Sequence, residues 1–123
     1  MDVATVKSPL KSSLSLGPLL FNWNSDKIRD FYFRIADEAP VDHVHMGEVV
    51  CSKRLVGKNH FPDVMERLDR AGKKVILSGL MLIMDDRDMK AVDDMAAMAD
   101  DYLVEANDLS TVSLLQGKDH AIG

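Results

Sequence analysis

At 123 residues the chain can hold one small domain with a core of its own, and its 46% apolar and 28% charged residues are the balance of a soluble globular protein. A net charge of −5 without clustered Lys and Arg argues against a nucleic-acid partner, because phosphate neutralisation needs concentrated positive charge. One cysteine excludes an internal disulfide and the disulfide-rich secreted class, and no apolar run approaches the roughly 20 residues of a transmembrane segment.

Residues 1–13 mix Asp2, Lys7, Pro9, Lys11 and serines, without the continuous apolar stretch of a secretory signal. They read as a flexible leader, with the cytoplasm as the default compartment. Leu14 to Phe21 is the first strand candidate, interrupted by Gly17-Pro18, which suits an edge, a strand start or a bend. Asn22-Trp23-Asn24 forms a turn, and Ser25 is the expected N-cap with Asp26 in the first helical turn. Ile28, Phe31, Tyr32, Ile35, Ala36 and Ala39 recur at helical spacing until Pro40 stops the helix.

Val41 to Val50 reads as the second strand. A loop containing Gly57 leads to a second helix with Phe61, Val64, Met65, Leu68 and Ala71 on one face. Asn59 is its expected cap, Pro62 falls in its first turn and Gly72 lies just past its end. Lys74 to Ile83 is the third strand, apolar on both faces and therefore expected to be covered and parallel. Asp85 to Asp100 is the third helix, with Met89, Val92, Ala96 and Ala99 toward the core. Tyr102 to Ala106 is the fourth strand, Asp108 caps a short helix through Leu114-Leu115, Gly117 follows, and His120-Ala121-Ile122 begins a fifth strand.

Strand starts recur about every 30 residues, the length of a βα unit. The expected fold class is α/β with right-handed crossovers. Two architectures fit: residues 14–123 as the amino-terminal half of a TIM-like (β/α) barrel, or a complete open sheet of flavodoxin type.

The chemistry-bearing residues gather around Gly47-Glu48-Val49-Val50-Cys51-Ser52-Lys53-Arg54. In parallel α/β folds, the loop after a strand's carboxyl end is where ligands bind. A lone cysteine is commonly a small buried hydrophobe, but Cys51 follows a strand end and has Lys53 and Arg54 nearby to favour a thiolate. No base is in view for it as a nucleophile, since His43 and His45 lie inside the preceding strand. One thiolate also does not make up the four that a four-iron cluster requires.

Glu48 and Glu105 are expected on the same rim as Cys51, where paired carboxylates could do acid–base work, or could simply be solvated or paired with Lys53 and Arg54. Asn107 shares that rim, and Asp108 is accounted for as a cap. Lys53, Arg54 and Lys58 form a small basic loop suited to an anionic group, or a solvated surface. Asn22 and Trp23 are candidates for a pocket wall, although an aromatic there is also ordinary packing. Met81, Met84, Met89, Met95 and Met98 read as gap-filling and helix-face residues. His43 and His45 share a strand face but lack a visible third ligand for zinc, and His60 and His120 stand alone. The phosphate-cradling, dinucleotide and serine-hydrolase glycine motifs are absent from the sequence.

The octet from Gly47 to Arg54 resembles the ubiquinone-biosynthesis branch of the collagenase-like peptidase family of unassigned catalytic type (the U-32 peptidases). Ser15-Leu16-Gly17-Pro18, Leu77-Ser78 and Val104-Glu105-Ala106-Asn107-Asp108-Leu109 fit the same family in the same order, so the likeness runs from about Leu14 to Gly123 and would cover the amino-terminal part of a member. The resemblance implies a barrel fold and places Cys51 as one ligand of a four-iron four-sulfur (4Fe-4S) cluster whose other three ligands lie in a later cysteine group. It further implies a heterodimer with a homologous U-type subunit, serving anaerobic, oxygen-independent hydroxylation of a prenylated aromatic ubiquinone precursor. Glu48, Lys53, Arg54, Glu105 and Asn107 are then the expected substrate rim. The readings from other classes are a peptidase-like hydrolase, after which the wider family is named, and a small flavodoxin-like binding domain.

Overall fold

Short β segments alternate with amphipathic helices, and the backbone resolves that alternation into one five-stranded, all-parallel sheet. The computed structural model of the chain describes residues 12–50 and 58–123. In chain order the elements are β1 (Ser15–Leu16), α1 (Ser25–Glu38), β2 (His43–Gly47), a 3-10 turn (Lys58–His60), α2 (Phe61–Arg70), β3 (Lys74–Ser78), α3 (Asp86–Ala96), β4 (Leu103–Ala106), α4 (Leu109–Leu114) and β5 (His120–Ile122). Among the described residues no helix is long and apolar enough to cross a membrane.

Each strand hydrogen-bonds to its sequence neighbour, in the order β1-β2-β3-β4-β5. A flavodoxin-type sheet runs 2-1-3-4-5, with the first strand between the second and third. Here β2 lies between β1 and β3, so the sheet is not wound that way. The helices all pack on one face. Val44 and Met46 of β2, Val75 and Leu77 of β3, and Val104 and Ala106 of β4 share one core with Ile28, Tyr32 and Ala36 of α1 and with Val64, Met65 and Leu68 of α2. Ala96 of α3 and Leu115 after α4 complete it. Strand residues alternate in direction, so the other face carries Ser15, His43, His45, Gly47, Lys74, Ile76, Ser78, Leu103, Glu105 and Ala121, aligned by register.

Local chemistry sets the element ends. Asn24, not Ser25, caps α1: its side chain accepts the Lys27 N–H at 2.8 Å, and Ser25 is already helical. Ala39 is extended, as the residue before a proline must be. The α2 start also differs from expectation. His60 rather than Asn59 stands at the N-cap, and it makes no side-chain cap bond; its Nε2 meets Asp26 Oδ1 at 3.2 Å instead. At its other end Gly72 takes φ 79°, letting Lys73 N–H reach Leu68 O and Gly72 N–H reach Asp69 O, a Schellman closure. Asp85 and Asp108 cap α3 and α4 through the N–H groups of Asp88 and Thr111.

The strands are shorter than the apolar runs that announce them. β1 ends where Gly17-Pro18 begins, because proline has no N–H for the ladder. β2 occupies only the middle of Val41–Val50, and β3 stops at Ser78, after which Met81, Leu82 and Met84 are exposed. Those two methionines are therefore not gap-fillers; Met46 and Met65 fill the core. The third helix ends at Ala96 and continues to Tyr102 as tight turns.

Candidate functional site: a polar network at the carboxyl ends of β2, β3 and β4

The parallel register sets Gly47, Ser78 and Glu105 side by side at the carboxyl ends of three adjacent strands, on the face opposite the helices. His45 lies one step down β2 on that same face. Their side chains join. Glu105 Oε1 accepts the Ser78 hydroxyl at 3.1 Å and the Asn107 amide at 3.2 Å, while His45 Nδ1 stands 3.3 Å from Glu105 Oε2 and 3.4 Å from Ser78 Oγ. Asn107 also donates to the Gly79 carbonyl at 2.8 Å, and the Gly79 N–H donates to Glu105 O at 3.1 Å, tying β3 to β4.

Burial makes this network consequential. Ser78 is fully buried, and the His45 and Glu105 side chains are 15% and 16% exposed. A carboxylate held largely out of water requires compensating donors. Glu105 has them from three strand ends.

The network also assigns a proton. The Ser78 hydroxyl has one hydrogen, and it goes to Glu105. A bare Nδ1 would set its lone pair against the Glu105 carboxylate, so Nδ1 carries the hydrogen and shares it between Ser78 Oγ and Glu105 Oε2. An uncharged His45 ring then keeps its lone pair on Nε2, which is not among the sealed, unpartnered atoms. This is not a hydrolytic triad: the serine is buried, its hydrogen points at the acid, and both contact the same ring nitrogen.

Glu48 and Glu105 take different partners among the described residues. Glu48 turns its carboxylate back onto the Val50 N–H at 2.6 Å, while Glu105 is engaged by His45, Ser78 and Asn107. Asn107 joins Glu105 in this network, and Asp108 is the α4 cap. Cys51, Lys53 and Arg54 lie outside the described residues, and Lys58 opens the 3-10 turn. Trp23 packs between Phe21 and Phe31, with Lys27 over its ring at 4.3 Å.

His43 shares the open face, and its Nδ1 is buried with no partner among the described residues. Among those residues no group of three or more His, Cys, Asp or Glu gathers as a metal site. Behind the strand ends, on the helix side, a cavity of about 90 Å³ is lined by Met46, Phe61, Leu77, Leu80, Met95 and Met98. Most of its wall is apolar, and Glu48, Ser78 and Asp94 also line it.

His45 and Ser78 escaped the sequence reading as site residues. The available signal was a polar residue set among apolar strand residues: Ser78 within Val75–Leu80, Glu105 between Val104 and Ala106, and His45 between Val44 and Met46. No family model matches the chain, and no solved structure matches it.

Proposed function

We propose that the chain is the amino-terminal part of a (β/α) barrel and acts as a UbiV-like iron–sulfur accessory protein of oxygen-independent ubiquinone biosynthesis. Its partner in this reading is a homologous U-type subunit, and its substrate a prenylated aromatic precursor. The observation that carries the proposal is where the octet falls. Its first residue, Gly47, is the last residue of β2, so Cys51 follows the carboxyl end of a strand in a parallel sheet whose strands run in sequence order. That order is also how a (β/α) barrel is wound, and strand carboxyl ends are where such folds place their chemistry.

The donor set limits what the chain holds by itself. A four-iron cluster takes four thiolates, and this sequence has one. The residues present therefore do not fit the whole cluster, and Cys51 is one ligand among others supplied from outside these 123 residues.

The test is anaerobic reconstitution with iron and sulfide of the assembly isolated from the cells that make it, comparing Cys51 with Cys51→Ala. The proposal expects the broad visible absorbance of the cluster to be lost in the variant. Absorbance and iron content that do not change on substitution would overturn it.

A further inference from the structure

Helix α1 turns Ile28, Tyr32 and Ala36 into the core and meets α2 on one side, where Arg67 pairs with Asp37 and lies over the Phe33 ring. At about 100° per residue, its opposite flank carries Lys27, Phe31 and Ile35, a ridge at four-residue spacing with Trp23 before it and Ala39 after it. Asp30, Arg34 and Glu38 form the next ridge. An open groove of about 450 Å³ runs along these two ridges. Trp23, Phe31, Ile35 and Ala39 are half-buried in it, and the four charged residues are exposed. This flank faces away from α2, on the side of the edge strand β1.

We propose that the groove receives α1 of a second copy of the chain, the two helices antiparallel about a two-fold axis. A groove between ridges of four-residue spacing is the shape that a ridge of another helix fills. The 14 residues of α1, roughly 21 Å of helix, give such a contact its length. An apolar middle with Trp and Phe, edged by charges that include Arg, is the composition of a protein interface rather than of a solvated helix face.

Charge selects the occupant. Lys27 stands at the amino-terminal end of the groove. Its ammonium lies over the Trp23 ring at 4.3 Å and has no carboxylate partner among the described residues. Glu38 stands at the other end, where Arg34 Nε holds its Oε2 at 3.0 Å and leaves Oε1 without a partner among the described residues. Asp30, between them, is paired with Arg29 at 3.0 Å. The groove thus has a cationic end and an acidic end, and a reversed copy of itself is their complement. Setting Lys27 against the partner's Glu38 brings Phe31 against the partner's Arg34, a guanidinium on an aromatic ring. The two-fold axis repeats both pairs. It also sets each helix amino terminus beside a carboxyl terminus, the favourable alignment of their dipoles.

The experiment co-expresses two differently tagged copies of the full-length protein in the cells that make it and measures how much of one tag is recovered with the other. Unmodified copies are expected to recover each other. Lys27→Glu in both copies, or Glu38→Lys in both, turns two attractions into two repulsions and should lower recovery roughly tenfold. Lys27→Glu in one copy with Glu38→Lys in the other makes both pairs attractive again and should restore it. Both side chains are exposed, so neither reversal disturbs the core. Unmodified copies that do not recover each other, as when a different helix fills the groove, overturn the proposal. So does recovery indifferent to the single reversals, or a mixed pair that is not restored. The inference needs neither Cys51 nor a cluster, and iron content is a separate readout, so it and the function proposed above can fail independently.

Discussion

Gly47 on β2 and Ser78 on β3 are register partners, so closely apposed that a β-carbon on Gly47 would stand 2.5 Å from the Ser78 carbonyl oxygen. Gly47 also takes φ 121°, a conformation open to glycine and strained for other residues. Two independent constraints thus hold the last residue of β2 to glycine, beside the serine that supports Glu105.

Gly47→Ala should therefore destabilise the fold by about 1–3 kcal/mol, the usual cost of a strained backbone position. It should also disturb the Ser78–Glu105 contact. The urea midpoint measures the first effect, and the His45 ring signals measure the second. A midpoint within error of the parent would contradict the close approach.

Leu68 of α2 is fully buried, whereas Leu109 at the start of α4 is 86% exposed. Leu68→Ala should cost about 2–5 kcal/mol, the range for emptying a packed leucine site. Leu109→Ala should stay within about 0.5 kcal/mol. Chemical denaturation of the two variants side by side checks the ranking, and equal losses would mean that the core is misplaced.

Tyr32 is buried in the helix-side core, and loss of hydration pushes its phenol up to about 12. Its folded value is raised, so its contribution to stability is fully present below pH 10 and is lost as pH rises toward about 12. The linked change is on the order of 2–3 kcal/mol. Tyr32→Phe should flatten this part of the alkaline unfolding curve. An unchanged alkaline limb would count against burial of the hydroxyl.

Asp37 and Arg67 pair at 2.6 Å between α1 and α2, and the hydrogen bonds from Arg67 hold the Asp37 carboxyl below its ordinary value. A depressed carboxyl stabilises above its unfolded pKa, and the contribution disappears as pH falls through the lower, folded one. The pair is exposed and screened, so the effect should be small and should shrink in salt. Asp37→Asn should reduce the acid dependence of the urea midpoint. Arg67→Ala should lose more, because Arg67 also lies over the Phe33 ring at 4.5 Å.

The alternation of elements was legible because each carries its own local signal. Examples are the helical spacing of Ile28, Tyr32 and Ala36, the capping acids Asp85 and Asp108, and Gly72 past the end of α2. Boundaries were less legible where apolar residues outran the structure, as from Gly79 to Met84, since hydrophobicity does not distinguish a strand from an apolar loop that follows it. The His45–Ser78–Glu105 contact lies on three strands and exists only through their register. The sequence pattern placed His43 and His45 on one face, but which residues of β3 and β4 lie beside them is a tertiary fact. Glu48 and Glu105 both fall near the ends of apolar strand runs, and only the fold separates an acid that holds the Val50 N–H from one that meets a histidine.

The central claim, that Cys51 is a cluster ligand, is tested most directly by iron bound per chain in protein isolated without oxygen from the cells that make it. Three forms are compared: unmodified, Cys51→Ala, and Glu105→Gln as a control that leaves the thiol in place. The account predicts iron in the unmodified and Glu105→Gln proteins and its loss in Cys51→Ala. Equal iron in all three, or none in the unmodified protein, would contradict it.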